Sequence, residues 1–139
     1  MTPWVQRFLI ANVLIFFVQQ TMPGLDRSLV LVPALLLARP WTLVTYMFLH
    51  AGFTHILFNM LGLYFFGPRV EQRIGSSRFF ALYMISGITG GLLSFYTPMV
   101  SIVGASGAIF GVLLAYARFW PRDQMLIWGI IRSRSGGWC

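Results

Sequence analysis

Four long apolar runs, separated by short segments rich in arginine, proline and glycine, dominate this 139-residue sequence. Hydrophobic residues make up 58% of the chain and charged residues only 9%, whereas soluble domains are about 45–50% apolar and about 25% charged. A core of this size cannot hide so much apolar surface from water, so we expect lipid to surround most of the chain. A helix needs about 20 mainly apolar residues to cross a bilayer.

The apolar runs predict an all-α membrane protein, a helical bundle with four full transmembrane helices and the start of a fifth. The predicted spans are residues 5–22, 46–67, 79–96 and 104–120, and the apolar stub is 124–131. Between the first two spans, Pro33 and embedded charges interrupt the run, so we expect a partly embedded interfacial loop anchored by Trp41. A short polar loop, PRVEQRIGSSR, is expected after the second span.

The arginines indicate how these helices cross the bilayer, because positive residues mark cytoplasmic loops. The ten basic residues are all arginine, and with three acids they give a net charge of +7. A cytoplasmic N-terminus places six arginines inside: Arg7, Arg69, Arg73, Arg78, Arg118 and Arg122. Arg27 and Arg39 then lie outside, and the two tail arginines, Arg132 and Arg134, are not assigned to a side. We therefore expect a multi-pass protein of a bacterial-type cell membrane with its N-terminus in the cytoplasm.

Composition and motifs exclude several other classes. Nucleic-acid binding needs basic residues clustered on a polar face, whereas these arginines punctuate apolar runs, so we expect membrane lipid and no nucleic acid as a partner. No metal or organic cofactor is expected, because the sequence has neither an HExxH motif nor a nucleotide-binding loop. Cys139 is the one cysteine, which excludes an internal disulfide. A transporter would show intramembrane charges or inverted repeats, and the sequence shows neither.

Glycines in two predicted spans have the spacing of close helix contacts. Gly87 and Gly91 form one GxxxG pair, and Gly107 and Gly111 form another. Small residues at this spacing let helix backbones approach closely in lipid. The fourth helix is therefore expected to lie centrally in the bundle, with Gly107 and Gly111 in structural roles.

Three polar residues in the predicted spans are candidates for function, since polar groups in lipid are costly. His55 and Asn59 are four residues apart and share one helix face, and Ser106 begins the fourth helix. Each alone has a packing explanation, as an interhelical hydrogen bond or a small-residue contact. Together they favour acyl transfer, because N–H groups at a helix N-terminus hold a developing oxyanion and His and Asn donate further hydrogen bonds. Gly104 and Gly107 leave the serine uncrowded.

Three motifs, in this order along the chain, resemble the rhomboid family of intramembrane serine proteases. They are HAGFTHILFNM at 50–60, EQRIG at 71–75 and GASGAIFG at 104–111. The resemblance extends over about residues 8–131 and implies a rhomboid-like helical bundle. It also implies a serine endopeptidase whose substrates are transmembrane proteins, with no cofactor.

The resemblance implies that Ser106 is the nucleophile and that Gly104, His55 and Asn59 line the oxyanion side. The family's general base is a histidine on a sixth span, and the chain contains two histidines, His50 and His55, which match other positions. We therefore expect a rhomboid-type endopeptidase that is inactive as this chain stands. The alternative is a non-catalytic pseudoprotease that binds transmembrane helices, which the retained serine argues against.

The other matching residues are implied to be structural. Glu71 and Arg73 would form a hydrogen-bonded cap on the cytoplasmic end of the bundle. The family's first-loop Trp-Arg pair reads Trp41-Thr42 in this sequence, so its arginine is absent.

The C-terminal residues lead to a hypothesis of truncation. We interpret residues 1–131 as a partial rhomboid domain and 132–139, RSRSGGWC, as a tail foreign to the family. Relatives typically continue at this point with a sequence such as Pro-Ile-Pro-Glu-Arg-Trp-Leu-Val. With a suitable choice of codons, the DNA for that sequence encodes RSRSGGWC once one base is deleted from its first codon. A one-base deletion or a sequencing error would therefore account for the tail, and resequencing of the locus tests this.

Overall fold

The computed structural model describes residues 1–121, and the structural statements that follow concern those residues. The predicted stub at 124–131 and the tail at 132–139 lie outside them, as does Arg122. Within residues 1–121 the chain forms six α-helices: α1 (Pro3–Thr21), α2 (Asp26–Leu29), α3 (Thr42–Thr45), α4 (Phe53–Ile74), α5 (Ser76–Leu93) and α6 (Ser106–Phe119). Short 3₁₀ turns cover Pro33–Leu35, Tyr46–Phe48 and Ser94–Tyr96. The all-α fold is confirmed for this part of the chain.

Helix α4 begins later than the sequence indicates. The predicted second span starts at residue 46, whereas α4 starts at Phe53. Residues 42–48 form separate short helical turns, and their axis meets that of α4 at 93°. Gly52 is extended, with φ −171°, and provides the residue before the first turn of α4. The bend places the chain just before α4 against the bundle.

The end of α4 also differs from expectation. The prediction of a polar loop over 68–78 is wrong, because α4 continues to Ile74 despite Pro68. Val70 and Glu71 are buried, so packing against neighbouring helices outweighs the hydrogen bond that proline removes. The chain reverses at one residue, Gly75, whose φ of +94° lies in the region that favours glycine.

Helix lengths support part of the predicted membrane topology. One segment, Ser76–Tyr96, is long and apolar enough to cross a bilayer alone, and the bent pair of 42–48 and 53–74 would be a second. Helix α6 is apolar but has 14 residues. The helical bundle is thus established for residues 1–121, while the number of four spans stays a prediction.

The core lies where α4, α5 and α6 meet, and α1 packs on α4. Leu63, Phe79, Tyr83 and Val112 are fully buried there, and the Phe8 ring stacks on Tyr83 with centroids 3.8 Å apart. Large apolar side chains also cover the outside of all four long helices. Exposed examples are Leu14, Phe17, Phe58, Phe65, Ile85, Leu93, Phe110 and Leu114.

Helices α5 and α6 touch through small residues. A Cβ atom added at Gly107 would lie 3.7 Å from the Cα atom of Gly90 and 3.8 Å from that of Gly87. One added at Gly111 would meet the side chain of Ser86. Gly91, by contrast, faces Leu31, Leu43 and Tyr46, away from this contact. The close approach fixes the position at which α6, and hence Ser106, begins.

Candidate active site

Ser106 is the first residue of α6, and it is exposed. Ile109 N makes the first helical bond, donating to Ala105 O at 2.9 Å. The N–H groups of Ser106, Gly107 and Ala108 therefore have no acceptor within the helix. These donors and the positive end of the helix dipole surround the serine with groups that stabilise negative charge.

His55 packs against the loop that leads into this helix. Gly104 has φ +116°, and a Cβ atom there would lie 2.7 Å from His55 Cε1 and 2.9 Å from His55 Nε2. Gly104 N donates to Tyr46 O at 2.9 Å, which holds the loop in place. Both the backbone conformation and the contact therefore require glycine at position 104.

The Nδ1 atom of His55 has a backbone neighbour. Ala51 N donates to His55 Nδ1 at 3.4 Å. In a neutral imidazole, one nitrogen that accepts leaves the other to carry the proton. In that neutral form Nε2 carries the proton, and Nε2 faces Gly104, two residues before Ser106.

Asn59 lies one helical turn after His55 and is buried. Its Nδ2 donates to His55 O at 3.1 Å, so one of its two N–H bonds is engaged within α4. Among residues 1–121, no hydrogen bond joins Ser106 to His55, Asn59 or His50. The structure thus brings His55 to the glycine beside the serine, and it leaves the serine hydroxyl without a described base.

His50 lies just before α4, whereas the resemblance implies a general base on a sixth span. It is 1% exposed, and neither ring nitrogen has a hydrogen-bond partner among the described residues. Its ring meets the ring of His55 edge-on, with centroids 5.1 Å apart. The backbone of His50 is held by Gln19, whose Oε1 accepts from His50 N and whose Nε2 donates to His50 O, both at 3.0 Å.

Gln19 is a site-supporting residue that the sequence analysis missed. Its signal is a polar side chain near the end of an apolar helix, the same signal that singled out His55 and Asn59. Gln19 Nε2 also lies 3.2 Å from Asp26 Oδ2. One side chain therefore connects α1, α2 and the bend before α4.

Glu71 and Arg73 lie at the far end of the bundle from Ser106. Glu71 Oε2 accepts from Trp4 N at 3.0 Å and Oε1 accepts from Val5 N at 3.1 Å, so the carboxylate caps the first turn of α1. The Arg73 guanidinium lies over the ring of Phe119, 4.9 Å from its centroid, at the last residue of α6. These contacts link three helices at that end.

Side-chain hydrogen bonds to backbone carbonyls hold the loop over residues 27–42 in place. Trp41 Nε1 donates to Ser28 O at 2.7 Å, and Thr42 Oγ1 donates to Arg39 O at 2.7 Å. Arg39 Nη1 donates to Arg27 O at 2.6 Å. Backbone carbonyls are thus the acceptors that anchor this loop.

Comparison with known proteins places these features in a family. Residues 37–136 match the family described as Rhomboid domain, and the match ends five residues into the predicted tail. The chain is 45% identical over 78 residues to the putative rhomboid protease YdcA of Bacillus subtilis (strain 168), covering 55% of this chain and 39% of YdcA. It is 43% identical over 88 residues to the rhomboid protease GluP of the same organism, covering 62% of this chain and 17% of GluP.

A plant relative shows the same likeness. RHOMBOID-like protein 1 of Arabidopsis thaliana is 54% identical over 74 residues, which are 52% of this chain and 19% of that protein. This chain spans less than two fifths of the length of each of these three relatives. Since the family match covers well over half of the 139 residues, the resemblance is confirmed, and the chain belongs to the rhomboid family of integral membrane proteins.

Proposed function

We propose that this chain carries the nucleophile and the oxyanion side of a rhomboid-type intramembrane serine endopeptidase site. Ser106 is the nucleophile, and Gly104, His55 and Asn59 line the oxyanion side. The contact between the His55 ring and Gly104 supports this most directly, because it puts an imidazole donor beside the start of α6. Family membership supplies the reaction class.

The arrangement fits attack on a peptide carbonyl. Attack by Ser106 Oγ moves negative charge onto the carbonyl oxygen, and preorganised donors lower the energy of that charge. The free N–H groups of α6, the Nε2–H of His55 and the second N–H of Asn59 are such donors. The substrates are single-span membrane proteins whose helices unwind near small or helix-breaking residues.

The general base is the missing component of the proposed site. A serine hydroxyl needs an adjacent base to become nucleophilic. His55 acts as a donor on the oxyanion side, and His50 is buried against it. We therefore propose that the 139-residue polypeptide does not cleave by itself. Loss of one partner of a Ser–His unit reduces kcat by about 10⁶ in subtilisin.

A gel assay with a reconstituted transmembrane substrate tests this. The 139-residue chain is compared with a chimera in which residues 1–131 are fused to the C-terminal segment of YdcA that lies beyond the matched region. We expect cleavage by the chimera and none by the chain alone. Serine-dependent cleavage by the chain alone would refute the proposed inactivity.

A fluorophosphonate probe tests the nucleophile separately. We expect the chimera to be labelled and its Ser106→Ala variant not to be. Because Ser106 is exposed and lacks a described hydrogen bond, Ser106→Ala should change the free energy of unfolding by less than about 0.5 kcal/mol. Labelling that survives in the variant would refute the assignment. A chimera that binds substrate helices without cleavage or labelling would favour the pseudoprotease alternative.

The proposed membrane arrangement is four spans formed by α1, α4, α5 and α6, in a bacterial-type membrane with a cytoplasmic N-terminus. Exposed apolar side chains on all four helices support it. Single cysteines at two exposed positions test it after Cys139→Ser. A membrane-impermeant thiol reagent should label Thr97→Cys from outside intact cells and should not label Gln6→Cys. The reverse pattern would refute the orientation.

A further inference from the structure

Besides Arg69, which donates to the Tyr116 hydroxyl, four exposed arginines lie at the end of the bundle opposite Ser106. They are Arg7, Arg73, Arg78 and Arg118, and we call them the arginine face. Arg7 is near the start of α1, Arg78 is in the first turn of α5, and Arg73 and Arg118 are in the last turns of α4 and α6. The face therefore combines charges from all four long helices.

Side-chain contacts show that these helix ends are adjacent. Arg73 lies over Phe119, the neighbour of Arg118 in α6. Glu71, in the same turn as Arg73, accepts from the backbone of Trp4. The Trp4 ring in turn lies 4.6 Å from that of Phe80, two residues after Arg78.

The positive charge of this face is not neutralised by the described residues. Within 1–121, the carboxylate at this end of the bundle is Glu71, which is 2% exposed and engaged with the N–H groups of Trp4 and Val5. None of the four arginines forms an ion pair with another residue of the described part. Four guanidinium groups therefore face outward without a described counter-charge.

Exposed apolar side chains adjoin the arginine face on the side toward the middle of the bundle. Ile10 is exposed one turn after Arg7, and Leu114 is exposed one turn before Arg118. Arg7 lies over the Trp4 ring, 4.7 Å from its centroid, and aromatic residues favour this interfacial level. Exposed apolar side chains toward the middle of the bundle and guanidinium groups at its end are the pattern expected where a membrane protein meets lipid phosphate groups.

We propose that the arginine face binds the headgroups of anionic phospholipids. The guanidinium group suits phosphate because it offers several donors in a fixed plane and keeps its charge. Stacking of Arg7 on Trp4 and of Arg73 on Phe119 limits side-chain freedom before a lipid binds, which reduces the entropy lost on binding. The proposal rests on the membrane arrangement proposed above.

Native mass spectrometry of the detergent-solubilised full chain tests the proposal. The chain is titrated with phosphatidylglycerol or with phosphatidylcholine, and the bound fraction is measured for wild type and for Arg7→Gln/Arg73→Gln. We expect tighter binding of phosphatidylglycerol by wild type, and a loss of roughly fivefold for each arginine replaced. Added salt should weaken that binding, because the arginines are exposed and screened.

Matched controls separate the possible outcomes. Arg27→Gln removes an exposed arginine at the other end and should leave phosphatidylglycerol binding unchanged. Arg73→Lys keeps the charge but loses the planar donors and the stacking, so it should weaken binding less than Arg73→Gln does. Equal affinity for the two lipids, an equal effect of Arg27→Gln, or displacement of the lipid by equimolar inorganic phosphate would overturn the proposal. Flotation with neutral phosphatidylcholine vesicles tests whether the chain inserts into a bilayer. A chain that does not float with the vesicles would refute the membrane arrangement. A chain that inserts but shows no preference for phosphatidylglycerol would refute only the headgroup site.

Discussion

Replacement of Glu71 by glutamine should destabilise the bundle more than the equivalent replacement of Asp26, the other acidic residue within 1–121. The Glu71 side chain is buried, and its two oxygens each accept one backbone N–H from the first turn of α1, at 3.0 and 3.1 Å. Glutamine keeps one acceptor oxygen and presents an NH₂ group to the second N–H. One charge-assisted hydrogen bond is lost and the other becomes a neutral one.

The expected loss follows from these contacts. A hydrogen bond to a charged group contributes about 1.5–3 kcal/mol, and a neutral one about 0.5–1.5 kcal/mol. The negative charge at the N-terminus of α1 adds about 0.3–1 kcal/mol through the helix dipole. Together these terms predict that Glu71→Gln lowers the free energy of unfolding by about 3–5 kcal/mol.

Unfolding of the purified chain in mixed micelles, by titration with sodium dodecyl sulfate and far-UV circular dichroism, measures this quantity. Asp26→Asn is the matched control, since it makes the same chemical change in a half-buried residue with one described partner, Gln19, at 3.2 Å. The control should cost less than about 1 kcal/mol. Equal losses in the two variants would refute the proposed capping of α1 by Glu71.

Two further changes test the packing around Ser106. Gly104→Ala should lower the free energy of unfolding more than Gly24→Ala does in the same titration. Both glycines have positive φ, but a Cβ atom added at position 104 meets His55, whereas one added at position 24 meets open space. Equal costs would contradict the His55 contact. Gly111→Ala should destabilise α6 against α5 by about 1–3 kcal/mol, since its Cβ meets the Ser86 side chain, and Ser86→Gly should reverse most of that loss. Additive effects in this double-mutant cycle would show that the two positions do not touch.

Local spacing was sufficient to predict the relation of several site residues. The four-residue interval between His55 and Asn59 places them one turn apart on α4, and the Asn59 amide bonds the His55 carbonyl. The glycines around Ser106 likewise predict a close helix contact, and α5 is the helix that makes it. Such features depend on helix periodicity, which the sequence carries directly.

The bend before α4 and the links between distant segments were not predictable in this way. Residues 46–67 form one mainly apolar run, and its hydropathy does not indicate the 93° change of direction within it. The Gln19 and His50 contact joins residues 31 positions apart, and no local pattern pairs them. The end of α4 has a polar sequence that favours a loop. It is helical because Glu71 is buried against neighbouring helices, which is a tertiary effect.

The two polar contacts of α1 have a mechanical consequence. Glu71 holds the helix at Val5, and Gln19 fastens its other end to His50. These anchor points are 14 residues apart, or about 21 Å along the axis at 1.5 Å per residue. Hydrogen bonds at both ends restrict the rotation of α1, so α1 connects the bend before α4 to the last turns of α4.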